Sequence, residues 1–286
     1  MSATKIILGT VQLGMPYGIN NMTGRPDREA AITILQAAQS KGIKILDTAD
    51  AYGEAYDVIN SFHENNPPFL LMTKFKFSEE QNDIDGAFAL TRKKLNFDRL
   101  KTYSFHSFSD VEKLKNPEAL LELKKSGQIE EIGISVYTDD EFLKCIEMSF
   151  IDVIQIPFNL LDGMQLKGDL FRAAKEKGKK IYVRSVYLQG LFFKKLLPEK
   201  LSFLLPYLDR MRELARECGL DMGEMALRYA MSFEKIEGVI IGLETLEQLE
   251  WNMKVVNKGP LPQELIKRIH QVKVLERDLL NPVNWK

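Results

Sequence analysis

The sequence predicts an α/β protein of the (β/α)8, or TIM-barrel, class. Three observations carry this: apolar runs alternate with segments of helical period along the whole chain, eight such runs can be counted, and none is followed by G-x-G-x-x-G. A doubly wound sheet would show the same local alternation, but a dinucleotide-binding unit of that kind normally carries the glycine fingerprint directly after a strand.

The eight expected strands are KIILGT (5–10), IKILDTA (43–49), FLLMTKF (69–75), LKTYSFH (100–106), EEIGISV (130–136), DVIQIPF (152–158), KIYVRSV (180–186) and EGVIIG (237–242), each with a helix expected after it. IKIL and DVIQI hardly alternate, as expected of strands covered on both faces. Asp27 stands where a cap precedes REAAITILQAAQSKG, and Gly42, Gly127 and Gly178 mark helix ends. Between the seventh and eighth strands, residues 188–236 form a long insert in which Pro198 and Pro206 are expected to separate a loop and two helices. PQELIKRIHQVKVLERDLL (262–280) predicts one further helix outside the repeat, in a single barrel domain spanning 1–286.

With 39 Lys plus Arg against 40 Asp plus Glu, the net charge of -1 gives no general attraction to nucleic acid or anionic lipid. Cys145 and Cys218 lie far apart with no CxxC and no nearby histidine pair, so a reduced chain without a metal centre is expected. No apolar run reaches the roughly 18 residues of a membrane span, and MSATKIILGT has no signal-peptide pattern. The expectation is a cytoplasmic protein, a monomer or weak oligomer, acting on a small molecule.

In a parallel barrel all strands end at one face, so the residues there converge. Asp47, Lys74 and His106 end the second, third and fourth strands, and Tyr52 follows on the loop after Asp47. Taken singly, each has an ordinary role: a helix cap, a solvated lysine, a strand-end histidine, a half-buried aromatic. Together they have another. A lysine inside an apolar strand is costly to bury unless paired, and Asp47 is the neighbouring partner. A phenol with a reference pKa near 10 is a poor acid or base at neutral pH unless its anion is stabilised. Lys74, held by Asp47, would favour the Tyr52 phenolate, and His106 could donate to a substrate oxygen beside it.

At DTADAYG, MTKF and SFHSF the chain resembles the aldo/keto reductase family, whose barrels place Asp, Tyr, Lys and His in this order. IGISVYT, VIQIPFNLLD and RSVYLQGLF resemble the family's segments after strands five, six and seven, and IIGLETLEQLEWN its G-x-x-x-x-x-Q-x-x-x-N cofactor signature. The resemblance implies NADP(H) or NAD(H) lying across the barrel mouth and hydride transfer to or from a carbonyl or alcohol substrate, with Tyr52 as the acid. It also implies that Ser135 and Gln155 hold the carboxamide, that Ser185 and Gln189-Gly190 run along the pyrophosphate, and that Gly242, Gln248 and Asn252 lie near the adenosine. Thr10, Gln12, Arg184, Tyr187 and Glu244 fall at further cofactor-contacting positions.

The chain departs from the family pattern at several positions. Arg184 stands where many relatives place an aromatic ring, and Val136 where they often have Asn. Glu244 occupies a loop where NADPH-preferring relatives often carry a basic residue; an acid there opposes a 2′-phosphate and suits a ribose hydroxyl. Tyr17, Asn20 and Asn21 on one loop, and Phe192, Phe193, Lys194 and Lys195 on another, are expected to wall the pocket and to suit a hydroxylated aldehyde or ketone, sugar derivatives included. Three other functions remain open: a non-catalytic cofactor-binding regulatory barrel, an aldolase-type enzyme with Lys74 as Schiff-base nucleophile, and an interaction scaffold.

Overall fold

The computed structural model describes residues 5–77 and 83–285. The outermost positions of the expected 1–286 domain therefore lie outside the described residues. Eight parallel strands, β1 (Ile6–Gly9), β2 (Ile45–Asp47), β3 (Leu70–Phe75), β4 (Leu100–Phe105), β5 (Ile129–Ser135), β6 (Val153–Pro157), β7 (Lys180–Arg184) and β8 (Gly238–Gly242), close in chain order into a barrel. β8 pairs back onto β1, with Gly9 opposite Gly242.

Side chains on a strand alternate between faces, so each strand sends one set outward under the helices and one into the barrel. The outward set, with the apolar helix faces, makes the large core. The inward set makes a small one: Ile7, Met72, Val153, Tyr182 and Ile240, with Ile45 packed against it. Gly238 is needed beside Tyr182, since a Cβ there would overlap the ring. Two residues further along the same strands lie Gly9, Asp47, Lys74, Gln155, Arg184 and Gly242. One pleat thus turns an apolar floor into a polar mouth.

The helices follow their caps. In α2 (Arg28–Ser40) the Asp27 side chain accepts from the Ala30 N–H at 2.9 Å, and Gly42 ends the helix at φ +84°. After β1 a single turn, α1 (Val11–Gly14), precedes the loop that leads to α2. α3 (Ala55–His63) and α4 (Ile84–Lys94) follow β2 and β3, but the helix after β4 is split into α5 (Phe108–Val111) and α6 (Glu118–Lys125), with Pro117 at the start of the second. α7 (Asp139–Glu147) and α8 (Met164–Glu176) follow β5 and β6.

Within the insert, 3-10 turns at Leu188–Phe193 and Glu199–Leu204 precede α9 (Leu205–Glu217) and α10 (Met222–Met231). Pro206 falls in the first turn of α9, where its missing N–H costs nothing, and so does not break the chain. α11 (Leu246–Asn257) follows β8, and the last helix, α12 (Gln263–His270), is shorter than the expected 262–280. Beyond it Val274, Leu280 and Trp285 are buried separately, and Arg277 is tied to Asp139 at 2.9 Å. Those anchors hold the segment against the barrel in a path a continuous helix could not follow. Among the described residues no helix is long and apolar enough to cross a membrane.

Candidate active site

At the end of β2 the Asp47 carboxylate receives Lys74 Nζ at 2.7 and 2.6 Å and Gln155 Nε2 at 2.9 Å. Both members of the ion pair are almost fully buried, at 3% and 2% exposure. Burial draws the lysine below its ordinary pKa, and Asp47 pulls the other way. Thr10 is fully buried and holds the backbone of the same residue: its N–H and Oγ1 both donate to the Asp47 backbone carbonyl, at 2.9 and 3.2 Å.

Tyr52 sits on the turn after β2, with Lys74 Nζ 5.4 Å from its ring centre and the His106 ring perpendicular to it at 6.0 Å. Its phenol is held well above the ordinary range, first by burial and then by the Asp47 charge, with Arg184 opposing. Lys74 is locked onto both oxygens of Asp47, and Arg184 is a second cation that favours the phenolate. A phenol in this field keeps its proton at neutral pH and is equipped to donate it.

Arg184, ending β7, lays its guanidinium 4.4 Å over the Tyr137 ring and donates to the Val136 carbonyl at 3.1 Å. Beyond it the chain turns sharply: Ser185, Leu188 and Gln189 have φ of +60°, +49° and +54°, and Gly190 +89°. Left-handed conformations cost non-glycine residues about 1–3 kcal/mol each and persist only where surroundings impose them. The loop after β1 imposes them here. Ile19 N–H donates to the Gln189 carbonyl at 3.0 Å, Gln189 Nε2 to Tyr17 Oη at 2.8 Å, and Lys194 Nζ to the Ile19 carbonyl at 2.9 Å. Lys194 is therefore a clasp, and neither it nor Lys195 lines the cavity; Phe192 is buried in the core, while Phe193, Tyr17, Asn20 and Asn21 do line it.

The cavity measures about 620 Å³ and is lined by Asp47, Tyr52, His106, Ser135, Arg184, Ser185, Tyr187, Gln189, Gly190, Gly242, Glu244, Gln248, Asn252 and Gln12. Thr10, Lys74 and Gln155 stand behind this surface. A Cβ at Gly242 would overlap the Gln12 amide, so only glycine leaves that side chain its place. Tyr187 Oη donates to Asn252 Oδ1, and Gln248 grips Glu244 through both ends of its amide, at 2.8 and 2.7 Å. Buried amide oxygens of Gln12 and Gln155 have no partner. The sequence reading missed Tyr137 and Trp251, which line the cavity beside motif residues, and Asp50, whose Oδ1 faces His106 Nδ1 at 3.8 Å. Among the described residues no group of three or more His, Cys, Asp or Glu side chains is placed to hold a metal ion.

The Aldo/keto reductase family model matches residues 5–274. Similar proteins include the "Uncharacterized oxidoreductase YqkF" of Bacillus subtilis (strain 168), 25% identical over 92% of this chain and 94% of its own. The L-glyceraldehyde 3-phosphate reductase of Escherichia coli O157:H7 is 26% identical over 54% of this chain and 52% of its own. Among solved structures, aldo-keto reductase AKR11C1 from Bacillus halodurans (holo form) superposes with a TM-score of 0.78 at 23% identity, covering 94% of this chain and 92% of that one. A full-length family match, a closed barrel of the same fold and the Asp–Tyr–Lys–His order at its mouth agree: this chain belongs to the aldo/keto reductase family of oxidoreductases.

Proposed function

We propose that this chain is an NAD(P)H-dependent carbonyl reductase in which Tyr52 exchanges a proton with the substrate oxygen. One observation carries the reading: a protonated phenol and an imidazole, perpendicular with ring centres 6.0 Å apart, face one cavity above a buried lysine–carboxylate pair. The residues present suit a nicotinamide dinucleotide. Unpartnered amide oxygens of Gln12 and Gln155 are free to accept, Gly242 clears the space beside Gln12, and the strained turn at Ser185 faces the same cavity. Ser135 and Gln155 would hold the carboxamide. When bound, the cofactor supplies or accepts the hydride.

The chain's own residues do the rest. Tyr52 gives its proton to the developing alkoxide or takes one from an alcohol, and His106 orients that oxygen. Arg184 favours the phenolate left behind. The clasp between the loops after β1 and β7 fixes one wall of the cavity. Glu244 and Glu247 line the cavity, and among the described residues lining it the one Lys or Arg, Arg184, is held on Tyr137, so NADH is favoured over NADPH, whose 2′-phosphate would meet like charge. The substrate is a small aldehyde, ketone or sugar-like carbonyl. A Schiff-base lysine gains no support, because Lys74 is held by two carboxylate oxygens and does not line the cavity.

The test is NADH oxidation against a panel of aldehydes and ketones. Tyr52→Phe is expected to lose about 10²–10⁴-fold in kcat while still binding cofactor. Equal rates for wild type and Tyr52→Phe across the panel would overturn the assignment.

A further inference from the structure

Asp50 lies between Asp47 and Tyr52 but belongs to neither. Its Oδ2 accepts from the Lys76 N–H at 3.1 Å, and its own N–H donates to the Lys74 carbonyl at 3.1 Å, so the carboxylate is fixed from two sides. Among the described residues its Oδ1 is buried and unpartnered, and so is His106 Nδ1. These two atoms face each other at 3.8 Å. The His106 backbone is pinned by its N–H, which donates to the Phe75 carbonyl at 2.9 Å. Leaving a buried polar atom unsatisfied costs about 1–3 kcal/mol, so a ring movement of about 1 Å would relieve both at once.

We propose that Asp50 is a positioning residue for His106: its carboxylate accepts a hydrogen bond from Nδ1–H and leaves Nε2 as the nitrogen that meets the substrate oxygen. A base oriented by a third group is a recurring arrangement, and the partner of one ring nitrogen decides the state of the other. With Nδ1–H donating to Asp50, a neutral ring offers Nε2 as an acceptor for an alcohol, and a charged ring offers Nε2–H to a carbonyl. One orientation then serves both directions. The carboxyl's own state agrees: burial pushes it up, but His106 and the Lys76 amide outweigh burial and hold it below the ordinary range. The other charged groups nearby, Asp47 and Lys74, are committed to each other. What Nε2 does rests on the reductase reading; what holds Nδ1 does not.

The experiment reads the ring directly. The chain has three histidines, so long-range ¹H–¹⁵N spectra of labelled, cofactor-free protein at alkaline pH, assigned with His106→Gln, resolve the tautomer. The Nδ1–H form is expected in wild type, and loss of that form in Asp50→Asn and Asp50→Ala. In the carbonyl assay Asp50→Asn is expected to lower kcat about 10–100-fold with cofactor affinity unchanged, and to cost nothing further in a His106→Gln background. An Nε2–H ring in wild type, or the same loss from Asp50→Asn with and without His106, would overturn the proposal. The tautomer needs neither cofactor nor turnover, so a protein that binds no NADH could still show it, and one that binds NADH could still lack it.

Discussion

Each end of the barrel buries a carboxylate against lysine, and the two ends treat it differently. At the N-terminal end Glu131 is met by Lys101 at 3.1 Å, by Thr102 Oγ1 at 3.1 Å and by Lys180, so both oxygens are used. At the C-terminal end Asp47 and Lys74 are paired as tightly, but their surroundings are not satisfied. The six buried side-chain polar atoms without a partner among the described residues belong to Gln12, Thr48, Asp50, His106, Gln155 and Asn159, all at or past the C-terminal halves of strands. A native interior leaves few such atoms, and each calls for a cause. One end of the barrel is satisfied by the chain itself, whereas the other leaves polar atoms unpartnered.

The sharpest way to break this contrast is to remove one charge from each end. Lys74→Met strands Asp47 as an unpaired buried charge, and denaturant unfolding is expected to show a loss of about 3–5 kcal/mol together with loss of turnover. Glu131→Gln, at the other end, is expected to cost about 1–3 kcal/mol and to leave kcat unchanged, since it touches only structure. A large fall in kcat from Glu131→Gln would mean that the ends are not separate. Glu244→Arg is expected to move the NADPH:NADH ratio of kcat/KM about tenfold toward NADPH, equivalent to roughly 1.4 kcal/mol. Smallest is Asp83→Ala, which removes the cap of α4; about 1 kcal/mol should go from stability with no change in cofactor affinity.

Much of this contrast was legible in the sequence. Strands covered on both faces stand out as short apolar runs, and the charged residues at or near their C-terminal ends, Asp47 and Lys74, announce the mouth. Strand alternation then places Gln155, Arg184 and Gly242 one pleat above Val153, Tyr182 and Ile240. What was not legible depends on contacts across strands. Gln155 turns its amide nitrogen to Asp47, Arg184 finds the Tyr137 ring, and Asp50 meets His106 only because β2 and β4 flank the same strand. Lys194, read as a pocket wall, is drawn to the Ile19 carbonyl by a loop 175 residues away. The 272–280 segment has helical composition, but its buried side chains decide its path.

Cofactor binding tests most directly whether the unsatisfied mouth is a nicotinamide site. Of the two tryptophans, Trp251 lines the cavity and Trp285 does not. Titration of the purified protein with NADH and with NADPH, followed by tryptophan and NAD(P)H fluorescence, should show saturable binding, tighter for NADH, lost signal in Trp251→Phe but not in Trp285→Phe, and binding retained in Tyr52→Phe. No binding of either nucleotide would contradict the reductase site and return the weight to a scaffold.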